Sequence, residues 1–126
     1  MKKTATEKPK ATPTYWKARL LLPVAGEKTL KGYWAYTQNL SETEVRFQSE
    51  KQLRKGAQVY LKVQAIHQGV KHPLTITGEV LSSVLLSCGT LYGIDLLITQ
   101  ISKEDQAFIN QYLKDKKTMK LTYSSF

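Results

Sequence analysis

The chain has 126 residues, 41% of them hydrophobic, and a formal net charge of +9. That length allows one domain with a modest core, and the longest apolar run, Leu20 to Ala25, falls far short of the ~20 residues of a membrane-spanning helix. The single cysteine, Cys88, excludes an internal disulfide, while the basic excess favours anionic partners.

Residues 1–14 carry Lys2, Lys3, Lys8 and Lys10 among Thr, Ala and Pro, with no periodic apolar pattern. Pro9 and Pro13 oppose a helix, so this stretch reads as a flexible basic arm that a ligand can order. It has no apolar core of a signal peptide, and the expected compartment is the cytoplasm, in keeping with one unpaired cysteine. From Tyr15 the texture changes. Trp16 to Leu22 reads as a strand, stopped near Pro23 and turned at Ala25-Gly26-Glu27. Leu30 to Gln38 holds Tyr33, Trp34 and Tyr36, aromatics suited to a half-buried pleated surface. Trp16 is expected in the core.

A polar turn, Asn39 to Glu44, opens into a strand in which Val45, Phe47 and Ser49 share one face and Arg46 and Gln48 the other. Lys51 to Gly56 is a polar connection ending in a turn glycine. Gln58 to Ile66 alternates cleanly, with Val59, Leu61, Val63 and Ala65 inward. Gln68 to Pro73 is a loop, Leu74 to Leu81 a strand with a bulge expected at Gly78, Val84 to Leu86 the continuation of that hairpin, and Leu91 to Ile98 a further strand.

The apolar period then lengthens. Ser102 is a candidate N-cap with Glu104 and Asp105 in the first turn, and Phe108, Ile109, Tyr112 and Leu113 form one apolar face. This predicts a helix of about three turns packed on the sheet, followed by a basic tail over 114–126. Five or six short strands and one helix predict a mainly β fold, a small antiparallel barrel with its C-terminal helix over an open end. The domain so defined spans 15–113.

Asn39-Leu40-Ser41-Glu42-Thr43-Glu44, together with the cationic Lys17-Ala18-Arg19 about twenty residues upstream, resembles the PilZ family. Its two-part motif is Arg-x-x-x-Arg followed by Asp/Asn-x-Ser-x-x-Gly. Asn39 and Ser41 match the second part, and Glu44 stands at its glycine. The first part aligns in two ways: Tyr15 and Arg19, or Pro13 and Lys17. The Gly56 to Leu61 strand entry, Thr77 to Val80, and Tyr92-Gly93-Ile94 leading to Ser102 and Asp105 resemble the family in the same order, so the likeness runs from Tyr15 to Leu113.

The resemblance implies a six-stranded barrel and a bacterial signalling adaptor that binds cyclic di-GMP through Lys17, Arg19, Asn39 and Ser41. In that mechanism the arm clamps the nucleotide and reshapes a surface read by a protein of motility, pili, secretion or polysaccharide production. Guanidinium groups suit such a ligand, because their planar fork binds phosphate or a guanine edge in bidentate fashion. Two other readings stay open. One is a PilZ-like adaptor that works by protein contact without the nucleotide. The other, ranked last, is a basic barrel binding single-stranded nucleic acid, which gains if Tyr33, Trp34 and Tyr36 form an exposed stacking face; alternation sets Tyr33 and Trp34 on opposite sides. No catalytic constellation stands out. His67 and His72 flank a loop without a nearby acidic or cysteine partner in sequence, so no metal site is expected, and Cys88 reads as a loop or half-buried thiol.

Overall fold

The computed structural model describes residues 11–26 and 28–124. Seven strands precede one helix: β1 (Thr12–Pro13), β2 (Lys17–Pro23), β3 (Leu30–Leu40), β4 (Glu44–Ser49), β5 (Gln58–His67), β6 (Val70–Leu85), β7 (Tyr92–Ile101) and α1 (Lys103–Ser124). All pairings are antiparallel. The order β3-β2-β5-β6-β7-β4 closes on itself through a β3–β4 pairing, so the expected barrel forms as a ring of six strands. Closure satisfies edge N–H and C=O groups that would otherwise template aggregation.

Alternation builds the core. Val59, Leu61, Val63 and Ala65 of β5 point inward with Leu74, Ile76 and Val80 of β6, and meet Leu20, Ala35, Phe47, Ile94 and Leu96, all buried. Gly78 sits at a register shift between β6 and β7, as expected of a bulge. A Cβ there would lie 2.6 Å from Leu96 Cγ and 2.7 Å from the Leu97 carbonyl oxygen, so the glycine admits the close approach of β7.

Three elements differ from the sequence-based expectation. The sheet begins at Thr12, inside the stretch expected to be an arm. Thr12 pairs with Leu40 and Pro13 with Asn39, and buried Thr14 donates its hydroxyl to Thr37 Oγ1 at 2.9 Å. The same Thr37 oxygen accepts the Trp16 N–H at 2.9 Å. These long-range bonds link residues too far apart for a local sequence pattern to show. The remainder of the expected arm, residues 1–10, lies outside the described residues.

Second, β6 is one strand of 16 residues, not a strand followed by a hairpin partner. Its first part pairs along β5 and its second along β7. Two register shifts, between Thr77 and Gly78 and between Val80 and Ser82, let it change direction without a break. The turn before it contracts to Gln68 and Gly69, at φ of 53° and 77°, the left-handed conformations of a tight hairpin.

Third, α1 runs for 22 residues, about six turns at 3.6 residues each, instead of ending near Leu113. Its start is as expected: Ser102 Oγ accepts the Asp105 N–H at 3.1 Å. The apolar face read from the sequence ends at Leu113, but Lys114, Lys116 and Lys117 beyond it are good helix formers. Gln111 donates to Asp115 at 2.7 Å one turn on.

The helix covers the barrel end made by the start of β2, the end of β5 and the start of β6. Trp16, 8% exposed and a core residue as expected, meets Tyr112 edge-on at 4.8 Å between ring centroids. Tyr112 donates its hydroxyl to the Pro13 carbonyl at 3.3 Å. No helix among the described residues is long and apolar enough to cross a membrane.

Candidate functional site

The turn between β3 and β4 is built by Ser41. Its hydroxyl oxygen accepts the N–H groups of Glu44 at 3.0 Å and Thr43 at 3.3 Å, and donates to the Glu44 carbonyl at 3.4 Å. That uses both acceptor sites and the one donor of a hydroxyl. Ser41 is 4% exposed. Its hydrogen bonds shape the turn. Glu44, at the motif's glycine, opens β4 opposite Leu97. The one non-glycine residue with positive φ among those described is Gln68, so the backbone at Glu44 is ordinary strand and makes no demand for glycine. The consequence of glutamate there is its charge.

Strand register then sets a polar ribbon across the barrel wall. Pro13 faces Asn39, Asn39 faces Arg46, Arg46 faces Asp95, and Asp95 faces Ser82. Arg46 donates Nε–H to Asp95 Oδ1 at 2.7 Å and an Nη2–H to Oδ2 at 2.8 Å, a bidentate pair. Ser82 donates to the same Oδ2 at 3.0 Å. The hydrogen bond to Asp95 raises the Arg46 pKa further above its ordinary value. Two of the five guanidinium donors are thereby engaged, and Arg46 is still about half exposed.

A recess of about 280 Å³ opens over this ribbon, lined by Ala11, Asn39, Ser41, Glu44, Val45, Arg46 and Asp95. Among the described residues, its ionisable wall holds two carboxylates and one guanidinium. Of the four residues expected to bind cyclic di-GMP, the structure brings Asn39 and Ser41 together here. Lys17 and Arg19 lie elsewhere. They stand on the outer face of β2, Lys17 beside Tyr36 and Arg19 between Trp34 and Lys62, and line a separate groove that shares no residue with the recess. Lys17 is paired three residues along β3 from Asn39, roughly 10 Å at a strand's rise. The cation beside Asn39 is Arg46, a residue the motif does not include. Strand alternation in β4 already turned it outward next to the turn, and that was the available signal.

The histidines acquire acidic partners from the helix, which sequence proximity did not show. His67 Nε2 lies 2.7 Å from Asp115 Oδ2, and His72 Nε2 lies 3.1 Å from Asp105 Oδ1. Phe108 stacks on His72 at 4.4 Å. These contacts fasten α1 to the β5–β6 hairpin. Cys88 is exposed on the turn after β6, and Thr90 holds its thiol pKa below the ordinary value through hydrogen bonds.

No family model and no curated protein sequence matches the chain. Among solved structures it is similar to the Bacillus subtilis inhibitor of motility MotI/DgrA, with a TM-score of 0.69 at 13% identity over 91% of this chain. The match takes in 52% of the MotI/DgrA chain, so this protein spans about half of that neighbour's length. At this identity the likeness shows the fold, a PilZ-like barrel with a C-terminal helix.

Proposed function

We propose that the chain is a signalling adaptor of PilZ type, acting by binding and not by catalysis, with cyclic di-GMP as the ligand of the Asn39–Arg46 recess. The observation that carries this reading is the register that sets Asn39 beside Arg46, at the end of a motif-bearing turn, in a barrel of the PilZ kind. The similar structure belongs to a protein named as an inhibitor of motility, which fits an adaptor whose output is contact with another protein.

Size limits what the recess does alone. At about 280 Å³ it lies at the lower edge of the roughly 300–1,000 Å³ typical of small-molecule pockets. It accommodates one guanine or phosphate portion of a cyclic dinucleotide. Ala11 lines it, and the lysines Lys10 and Lys8 come next along the chain. In this proposal the segment before Ala11, the clamp expected from the sequence, contacts the rest of the ligand, and that contact is the signal passed to the partner. Asn39 hydrogen-bonds the guanine edge, the free donors of Arg46 take phosphate, and Ser41 holds the turn.

A second reading, an adaptor that works without the nucleotide, is favoured by the Arg46–Asp95 pair, which already occupies two of the guanidinium's donors. Calorimetric titration with cyclic di-GMP, using GTP and GMP as controls, separates the two. Saturable binding selective for the cyclic dinucleotide is the expected result. No heat and no change in protease sensitivity of the N-terminal segment would assign the ligand-free role.

A further inference from the structure

The groove that holds Lys17 and Arg19 has a character of its own. It lies over four adjacent strands, and its polar and charged lining comes from their outward positions. One row across the barrel reads Trp34, Arg19, Lys62, Thr75; the rows beside it place Tyr36 next to Lys17, and Leu21 next to Tyr60. The groove measures about 940 Å³, and among the described residues its charged lining consists of Lys17, Arg19, Lys62 and Lys71, with no carboxylate. Among the described residues, no ion pair neutralises any of these four cations. Arg19 and Lys62 stand directly opposite each other, an arrangement that costs stability as like charges across strands and that an anion would relieve.

Aromatic surface accompanies the charge. Trp34 and Tyr36 stack at 6.2 Å between ring centroids, with an interplanar angle of 27°. Trp34 is 49% exposed despite that contact, and Tyr60, on the same face just outside the groove's lining, is 38% exposed. Gly32 contributes by what it lacks. A Cβ there would lie 3.0 Å from Arg19 Cδ, so the arginine stem lies across the bare backbone of β3 with Trp34 as its cross-strand neighbour.

We propose that this β3–β2–β5–β6 face binds single-stranded nucleic acid, phosphates on the Lys17-Arg19-Lys62-Lys71 cations and bases on Trp34 and Tyr60. Exposed rings directly beside cations, Trp34 next to Arg19 and Tyr36 next to Lys17, suit a flexible chain that carries both phosphates and bases. An acidic protein segment would satisfy the charges but has no periodic need for the rings. The row from Trp34 to Thr75 crosses three inter-strand gaps, about 14 Å at roughly 4.8 Å each, enough for a few nucleotides. The site is separate from the Asn39–Arg46 recess, and the inference does not depend on how that recess is used.

The test is fluorescence anisotropy with labelled d(T)15 and r(U)15, with polyglutamate of matched charge as competitor. Micromolar binding is expected to fall with salt at a log–log slope of about −3, the value for four phosphate contacts on a single strand. Trp34→Ala should weaken it at least about fivefold, as loss of one stacked base implies, and Arg19→Glu with Lys62→Glu at least about tenfold. Trp34 fluorescence should quench on binding, while buried Trp16 stays unaffected. Absence of binding overturns the proposal. So does binding indifferent to Trp34→Ala, since charge alone would then hold the strand, or full displacement by polyglutamate, which would identify an acidic-protein surface. Every substituted side chain is exposed, and circular dichroism of each variant confirms that the loss is not one of folding.

Discussion

Asn39 and Arg46 are cross-strand neighbours, and Arg46 is tied to Asp95 by two short hydrogen bonds. Any anion entering the recess must share that guanidinium with a carboxylate and pass a second one at Glu44. Neutralising Glu44 by Glu44→Gln removes a like charge worth about 1 kcal/mol at water-like screening, or about fivefold in affinity. Tighter cyclic di-GMP binding by this variant in calorimetry is the expected outcome. An unchanged affinity would mean that the ligand does not approach Glu44. Of the four residues named from the motif, two prove to be neighbours. Asn39 and Ser41 were legible because a turn is local in sequence. The place of Lys17 and Arg19 was not, because it depends on the offset of β2 against β3, which sequence spacing does not encode.

At the scale of elements, the strands and the start of α1 follow from alternation and from the Ser102 cap. The ends did not. The N-terminal strand exists through Thr14, Thr37 and the Pro13 carbonyl, all long-range partners. Past the apolar face, Asp115 bonds His67 and Gln111, and these bonds set its carboxyl pKa below the ordinary 3.8. A lowered carboxyl pKa in the folded state contributes stability that is fully present above the ordinary value and lost as pH falls through the lowered one. The stability difference between wild type and Asp115→Asn, measured by urea titration, should therefore be present above the ordinary carboxyl pKa. It should shrink below about pH 4. A gap that widens in acid would show that Asp115 does not anchor the helix.

On the scale of the whole molecule, closure of the barrel turns one continuous wall into two separate polar surfaces. One is the small mixed-charge recess at the β3–β4 turn, joined to the N-terminal segment through Ala11. The other is the larger groove on β3, β2, β5 and β6, whose charged lining is entirely basic. The net charge of +9 pointed to anionic partners without locating them, because composition carries no information about faces. In the proposed function the recess, and not the cationic strand, recognises the cyclic dinucleotide. The most direct measurement is the affinity for cyclic di-GMP of Arg46→Ala compared with Arg19→Ala, both by calorimetry. Losing a charge-assisted hydrogen bond costs about 1.5–3 kcal/mol, so Arg46→Ala should bind at least about tenfold more weakly while Arg19→Ala stays within about twofold of wild type. The reverse pattern, with Arg19→Ala abolishing binding and Arg46→Ala leaving it intact, would contradict the assignment and move the nucleotide to the groove.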